Sequence, residues 1–274
     1  MIVRNESRII TRLLESVLPI ISYYVIEDTG STDNTKEVIS SFFGQHTAHI
    51  TGIIVDEPFK NFAYSRNHAL NECRNFNKEL GGPIDFILFL DADMILEYGA
   101  KFDKNEFMNA ILAPNTAYNI LQGCNDFYWQ NMRIIPANEN EQTNIKYVGV
   151  THEYIDISNK IKNMNINRDI LFINDIGDGG SKSNKFERDI RLLVQGIIDE
   201  PQNEARYTFY LANTYFDCNS CKEDNMRAIE YYKKRIQIGG WIQEIWYSHY
   251  RIGLAYKRLD DMPNAIYYWL EAYN

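Results

Sequence analysis

The segment "PIDFILFLDADM" constrains the fold of this chain more than any other. Ile84 and Phe86 to Leu90 are apolar around a single Asp85, and the run stops at Asp91. A short run this apolar predicts a strand buried on both faces, as in parallel sheets covered by helices. Two earlier segments repeat the pattern. "YYVIED" and "ITGIIVDEP" read as buried strands ending in acid, followed by the helical patterns "STDNTKEVISSFFG" and "FAYSRNHALNECRNF". The first of these helices would be opened by Ser31 or Asp33 and stopped at Gly44. An earlier helix, "NESRIITRLLESVLPII", would be capped by Asn5, with Glu6 in its first turn and Ile9, Leu13, Leu14 and Val17 on one face. The alternation predicts an α/β fold of parallel strands with helices on both faces. Ligands of such sheets sit at the carboxyl ends of the strands. Asp28, Asp56 and Asp91 all fall at those ends.

From about 115 to 180 the strands shorten ("AYNILQGCNDFYWQNMRIIPA", "IKYVGVTHEYIDI", "DILFINDIGDGG"), which suggests an antiparallel extension of the sheet. Beyond "SKSNKFERDIRLLVQGIIDEP" every pattern is helical, and it repeats. "YLANTYF…RAIEYYKKRI" aligns with "RIGLAYK…NAIYYWLEAY", pairing Ala212 with Gly253, Tyr215 with Tyr256, Ala228 with Ala265 and Tyr232 with Trp269. The expected division is an α/β domain over 1–185 and an all-α helical domain over 186–274. "MIV" reads as the tail of a longer strand and the last helix lacks a solvating cap, so truncation is expected at both ends.

A formal charge of -9 over 274 residues argues against general affinity for nucleic acid or anionic membrane. No apolar run reaches the roughly 18 residues of a membrane span, and no signal sequence is visible. Four cysteines in a chain this long do not form a disulfide framework. Cys218-x-x-Cys221 is half of a zinc motif without a second pair, and reads as an insertion in a repeat loop. A cytoplasmic, reduced protein is expected.

Asp91-Ala92-Asp93 places two carboxylates, two residues apart, at the end of a buried strand. They cannot both enter the core, and a divalent cation can neutralise them while bridging to phosphate oxygens. Walker-type nucleotide hydrolases also end a strand in Asp, but G-x-x-x-x-G-K-[ST] is absent. Other polar groups have both a bland and a functional reading. Arg66 is either a surface helix residue or a ligand contact. His152 and Glu153 in "VGVTHEYI" are a strand-end pair or a catalytic one. Asp175 and Asp178 in "INDIGDGG" are turn formers or cation ligands. Lys182 and Lys185 belong to a solvated loop or meet a phosphate. Tyr128, Trp129 and Arg133 in "FYWQNMR" are packed strand residues or a stacking platform.

In order and spacing, "MIVRNES", "VIEDTGSTDNT", "FKNFAYSRNHAL", "ILFLDADMIL", "MRII…YVGVTHEYI" and the helical tail resemble the family 2 glycosyltransferases of the GT-A fold. The subgroup followed by tetratricopeptide-like (TPR) helices is the most similar. The resemblance implies a mixed nucleotide-diphospho-sugar transferase sheet, a UDP-sugar donor with a hexose such as glucose, and Mn2+ or Mg2+. Carried over by position, Asp28 would bond the uracil or ribose, and Val3, Asn5 and Glu6 would border the base. Arg66 and Asn67 would lie near the nucleotide and sugar. Asp91 and Ala92 would approach the ribose, Asp91 would also approach the metal, and Asp93 would ligate it directly. An inverting mechanism needs one base at the acceptor hydroxyl or thiol. Glu153 is assigned that role, with His152 as metal ligand or alternate base. The family often carries a histidine where this chain has Asp175, so the third metal ligand stays open among His152, Asp175 and Asp178. The acceptor would be a sugar, peptide or protein, and the helical domain would offer a peptide groove or a homodimer interface. The alternative reading is a TPR-type interaction module whose nucleotide-binding domain no longer catalyses. A nucleotidyltransferase would need a glycine- and basic-rich phosphate loop, which "VRNESR" is not.

Overall fold

In the computed structural model of the chain, strands β1 (Ile2–Val3), β2 (Tyr23–Asp28) and β3 (Thr51–Asp56) form a parallel sheet in the order β1-β2-β3. Between and after them run helices α1 (Ile10–Val17), α2 (Thr35–His46) and α3 (Phe62–Glu79). The residues described are 1–46, 50–124, 127–138, 144–180 and 184–273, with the side chains of 46, 110 and 111 excepted. Asn61 caps α3 by accepting the Tyr64 N–H at 2.7 Å, and Asp33 accepts the Thr35 N–H at 3.1 Å at the start of α2. Helix α1 starts later than expected. Asn5 does not cap it, because its carboxamide oxygen accepts the Thr32 and Asp33 N–H groups and its backbone is left-handed, with φ 58°. The Glu6 carbonyl accepts the Ile9 and Ile10 N–H groups instead. Helix α2 runs past Gly44 to His46.

The apolar run before Asp91 contributes β4 (Phe86–Leu88), followed by β5 (Met94–Tyr98), a short helical stretch α4 (Lys104–Glu106) that passes into a π turn, and β6 (Thr116–Cys124). Next come β7 (Phe127–Pro136), β8 (Ile145–Val148), β9 (Tyr154–Ile157), β10 (Lys162–Asn165) and β11 (Leu171–Asp175). A six-stranded mixed sheet has the order β4-β7-β6-β11-β5, with β10 also on β6, while β8 and β9 form a separate antiparallel pair. Here the expectation of a continued parallel ladder fails. β4 pairs antiparallel with β7, since the chain turns at Asp91, whose carbonyl accepts the Met94 N–H at 3.0 Å, and enters β5 directly.

Two apolar clusters hold these layers. One joins Leu13 and Leu14 of α1 and Ile39 of α2 to Ile26, Leu96, Ile120 and Ile173 of the strands; the other packs Leu70 and Phe76 of α3 on Ile87, Phe89, Ile135 and Tyr147. Each fully buried Leu or Ile stabilises the fold by about 1.5–3 kcal/mol, which fixes the strand ends that carry the acids.

The chain divides into two compact units, Met1–Val148 with Tyr154–Lys182, and Gly149–Glu153 with Ser183–Asn274. The second contains α5 (Lys185–Asp199), α6 (Glu204–Cys218), α7 (Lys222–Ile238), α8 (Ile242–Arg258) and α9 (Met262–Tyr273), each packed on the next. The small residues Ala212, Ala228 and Ala265 are fully buried. A Cβ on Gly253 would lie 2.3 Å from Trp269 Nε1, so α8 and α9 approach closely only because this residue is glycine. The buried Arg235 closes the α7–α8 connection by pairing with Glu244 at 2.9 Å and donating to the Gly239 carbonyl. Among the described residues no helix is long and apolar enough to cross a membrane.

Candidate functional site

At the carboxyl end of β2, Asp28 is 2% exposed. Its Oδ1 accepts the Gly30 and Ser31 N–H groups at 2.9 and 2.7 Å, folding the chain back on itself. Gly30 has φ 105°, which only glycine adopts without strain. Oδ2 of Asp28 is buried and has no hydrogen-bond partner among the described residues. A buried carboxylate oxygen left unpaired is costly and suits a ligand donor. The neighbouring segment is knitted to this loop. Asn5 N–H donates to Ser31 Oγ at 2.9 Å, Glu6 N–H to Thr35 Oγ1 at 2.9 Å, and Thr29 N–H to the Val3 carbonyl at 2.9 Å.

The Asp91-Ala92-Asp93 turn separates its two acids. Asp91 accepts from Arg66 Nη2 at 2.7 Å and faces Arg133 Nη1 at 3.5 Å. Burial opposes its ionisation, but the two guanidinium groups prevail and hold its carboxyl down at about 2. Ala92, between the two acids in the chain, is buried in the apolar cluster. Among the described residues the Asp93 carboxylate accepts the Gly179 N–H at 3.3 Å, and its carbonyl accepts the Ile176 N–H. Asp175, opposite Met94 in the β11–β5 ladder, accepts from Gln122 Nε2 at 3.2 Å. Burial pushes the Asp175 carboxyl up, and the charge of Asp93 adds to the effect against Arg133.

Residues 176–180 return over this end of the sheet. Glu6 accepts the Gly180 N–H at 3.1 Å, and Asp178 pairs with Arg12 through both carboxylate oxygens. A Cβ on Gly180 would lie 2.6 Å from the Asn5 carbonyl oxygen, and one on Gly179 would lie 3.0 Å from Asp93 Oδ2. The Asp-Gly-Gly sequence therefore allows close approach to the opening segment as well as a turn. Burial pushes the Glu6 carboxyl up, reinforced by Asp93, Asp33 and Asp178 and opposed by the Gly180 N–H.

The glycosyl transferase family 2 model matches residues 1–146, over half of the chain, including the strand that carries Asp28 and the Asp91-Ala92-Asp93 turn. The chain belongs to glycosyl transferase family 2. It is therefore a glycosyltransferase, with the helical unit outside the matched residues. None of the curated proteins matches it. Solved structures with a similar course include residues 1–349 of TarS from S. aureus, at 16% identity over 96% of this chain and 88% of that one, TM-score 0.43. The same TarS fragment in complex with UDP gives 14%, 96%, 88% and 0.44. The mannosyltransferase PcManGT from Pyrobaculum calidifontis, in complex with GDP-Man and Mn2+, gives 13% identity over 99% and 85%, TM-score 0.41.

In this glycosyltransferase the remaining anticipated residues have mixed settings. Val3, Asn5, Glu6, Asp28, Arg66, Ala92, Asp93 and Asp175 belong to the network above. The Asn67 amide is engaged in both directions with the Tyr147 backbone, at 2.9 and 2.7 Å, and so ties α3 to β8. Arg133, read beside Trp129 as part of an aromatic platform, is instead buried against Asp91, while Phe127 and Tyr128 are exposed. His152 and Glu153 belong to the helical unit. There His152, with φ 50°, stacks on Tyr210 at 4.2 Å, and its carbonyl accepts from Arg206 at 2.7 Å. Asp178 is committed to Arg12. Lys185 begins α5, and Lys182 lies outside the described residues. Among the described residues no three His, Cys, Asp or Glu side chains are gathered as a metal cage. The sequence reading missed Glu27, fully buried beside His68 at 2.8 Å, with burial raising its carboxyl against the imidazole. It also missed Gln122 and Arg12. An acid inside the apolar "YYVIED" was the available signal for Glu27; the other two gave none.

Proposed function

We propose that this glycosyltransferase moves a hexose such as glucose from a UDP-sugar to an acceptor hydroxyl or thiol with inversion, assisted by Mn2+ or Mg2+. The observation that carries the reading is the buried Asp28 Oδ2, unpartnered among the described residues, in a loop that Asn5 and Glu6 tie to the Gly179–Gly180 segment on Asp93. An N–H or O–H of a nucleoside would give that oxygen its missing partner. Two adjacent carboxylates, one of them raised by burial and by the other's charge, fit a hard cation, which relieves both effects. That no third acid joins them among the described residues is compatible with this, because Mg2+-type sites use one or two carboxylates and take other ligands from substrate phosphates and water. Asp93 and Asp175 would hold the cation, and Asp91 would orient Arg66. When bound, such a cation offsets charge on a departing diphosphate.

Glu153 is the proposed base, with His152 as alternate, an assignment that rests on the resemblance of "VGVTHEYI". For the helical unit we propose TPR-like repeats that take a peptide or protein acceptor or pair two copies of the chain. The test is a calorimetric panel of UDP- and GDP-sugars with and without Mn2+. Metal-strengthened binding of a UDP-sugar is expected. Failure of every nucleotide sugar to bind would overturn the donor reading and leave an interaction module in its place.

A further inference from the structure

Arg133 occupies an irregular place in its strand. In the β6–β7 ladder Tyr118 stands opposite Ile134 and Asn119 opposite Met132, so Arg133 is an extra residue with no register partner on β6, while its carbonyl accepts the Phe89 N–H on the other side at 2.8 Å. A bulge of this kind turns a side chain away from the direction alternation would give it. Here it sends a guanidinium inward, to 6% exposure. A buried charge persists only when paired and hydrogen-bonded. Arg133 meets that need with Asp91, 3.5 Å from Nη1, and with Gln122 Oε1, 2.8 Å from Nε.

Gln122, itself 2% exposed, then donates through Nε2 to Asp175 Oδ2 at 3.2 Å. Its amide has one workable orientation. Reversed, it would set NH2 against a guanidinium, which has no acceptor, and oxygen against a carboxylate. The glutamine therefore carries the sign of Arg133 across to Asp175. It sits in β6 directly beside Ile173 of β11, two residues before Asp175. Asp175 in turn neighbours Asp93, whose carbonyl accepts the next residue's N–H.

We propose that Arg133 and Gln122 are positioning residues, a buried relay that fixes the Asp175 carboxylate relative to the Asp91-Ala92-Asp93 turn and so sets the cation affinity of the site. The relay rests on the proposed metal role of Asp93 and Asp175. It makes a bulged arginine, two side chains removed from the cation, a determinant of metal binding.

The test measures Mn2+ affinity of the full chain by electron paramagnetic resonance for the wild type, Gln122→Met, Arg133→Met and the double variant, with circular dichroism as the check on folding. Groups that orient metal ligands are typically worth about 10–100-fold in affinity, so Gln122→Met is expected to weaken Mn2+ binding at least tenfold. Because the hydrogen-bonded path from Arg133 to Asp175 runs through Gln122, the double variant should bind no more weakly than the worse single one. Wild-type affinity in folded Gln122→Met, or additive losses in the double variant, would overturn the relay. If the methionine variants do not fold, Gln122→Asn is used, which keeps an amide too short to span Arg133 and Asp175. It should show the same loss, and wild-type affinity there contradicts the proposal. A wild type that binds no Mn2+ overturns the metal reading and the relay with it, and differs visibly from a relay failure, in which the wild type binds and the variants match it.

Discussion

Asp91 and Asp93 lie two residues apart and are held by opposite kinds of partner. Asp91 sits between Arg66 at 2.7 Å and Arg133 at 3.5 Å, while Asp93 receives the Gly179 N–H and neighbours the negative Asp175. One acid is already neutralised by the protein.

The Asp91 pairing should be visible in acid. Its carboxyl is held down at about 2 from an ordinary 3.8, so the associated stability is present above pH 4 and is lost as pH falls through about 2. A shift of that size corresponds to about 2 kcal/mol. Asp91→Asn should lose stability of that order at pH 7 and show a flatter pH dependence between about 4 and 2. Urea unfolding across a pH series measures both.

Much of this site could be read from the sequence because its strand ends are local signals. An apolar run that stops at an acid places Asp28 and Asp91 without knowledge of any partner. What escaped is set by contacts distant in the chain. Asn5 looked like a helix cap, but the Thr32 and Asp33 N–H groups compete for its oxygen. Arg133 read as part of a packed strand or a stacking platform with Tyr128 and Trp129, because the bulge that turns it toward Asp91 is a property of the β6–β7 pairing. Arg12 gave no sign of its bond to Asp178, because the two are 166 residues apart in the chain. The parallel continuation at β4 failed for a similar reason, since strand partners are chosen by the whole sheet.

Asp28→Asn tests the nucleoside contact. The variant keeps an oxygen for the Gly30 and Ser31 N–H groups while replacing the unpartnered Oδ2. Hydrogen bonds to charged groups are worth about 1.5–3 kcal/mol, so UDP affinity measured by calorimetry should fall roughly tenfold or more with little change in melting temperature. Unchanged affinity would remove Asp28 from the site.

Gly180→Ala tests the returning segment. The added Cβ would approach the Asn5 carbonyl oxygen to 2.6 Å, so backbone must shift. Overpacking of this kind costs about 1–3 kcal/mol. The variant should melt earlier and bind UDP more weakly, since Asn5 and Glu6 move with it. A variant that melts and binds like the wild type would show the contact to be dispensable.

The most direct test of the central claim is turnover of a UDP-sugar, followed as UDP release with and without Mn2+, in the wild type and in Asp93→Ala. Mn2+-dependent turnover in the wild type, abolished in a variant whose circular dichroism is unchanged, is the predicted result. Turnover that persists in folded Asp93→Ala would contradict the account.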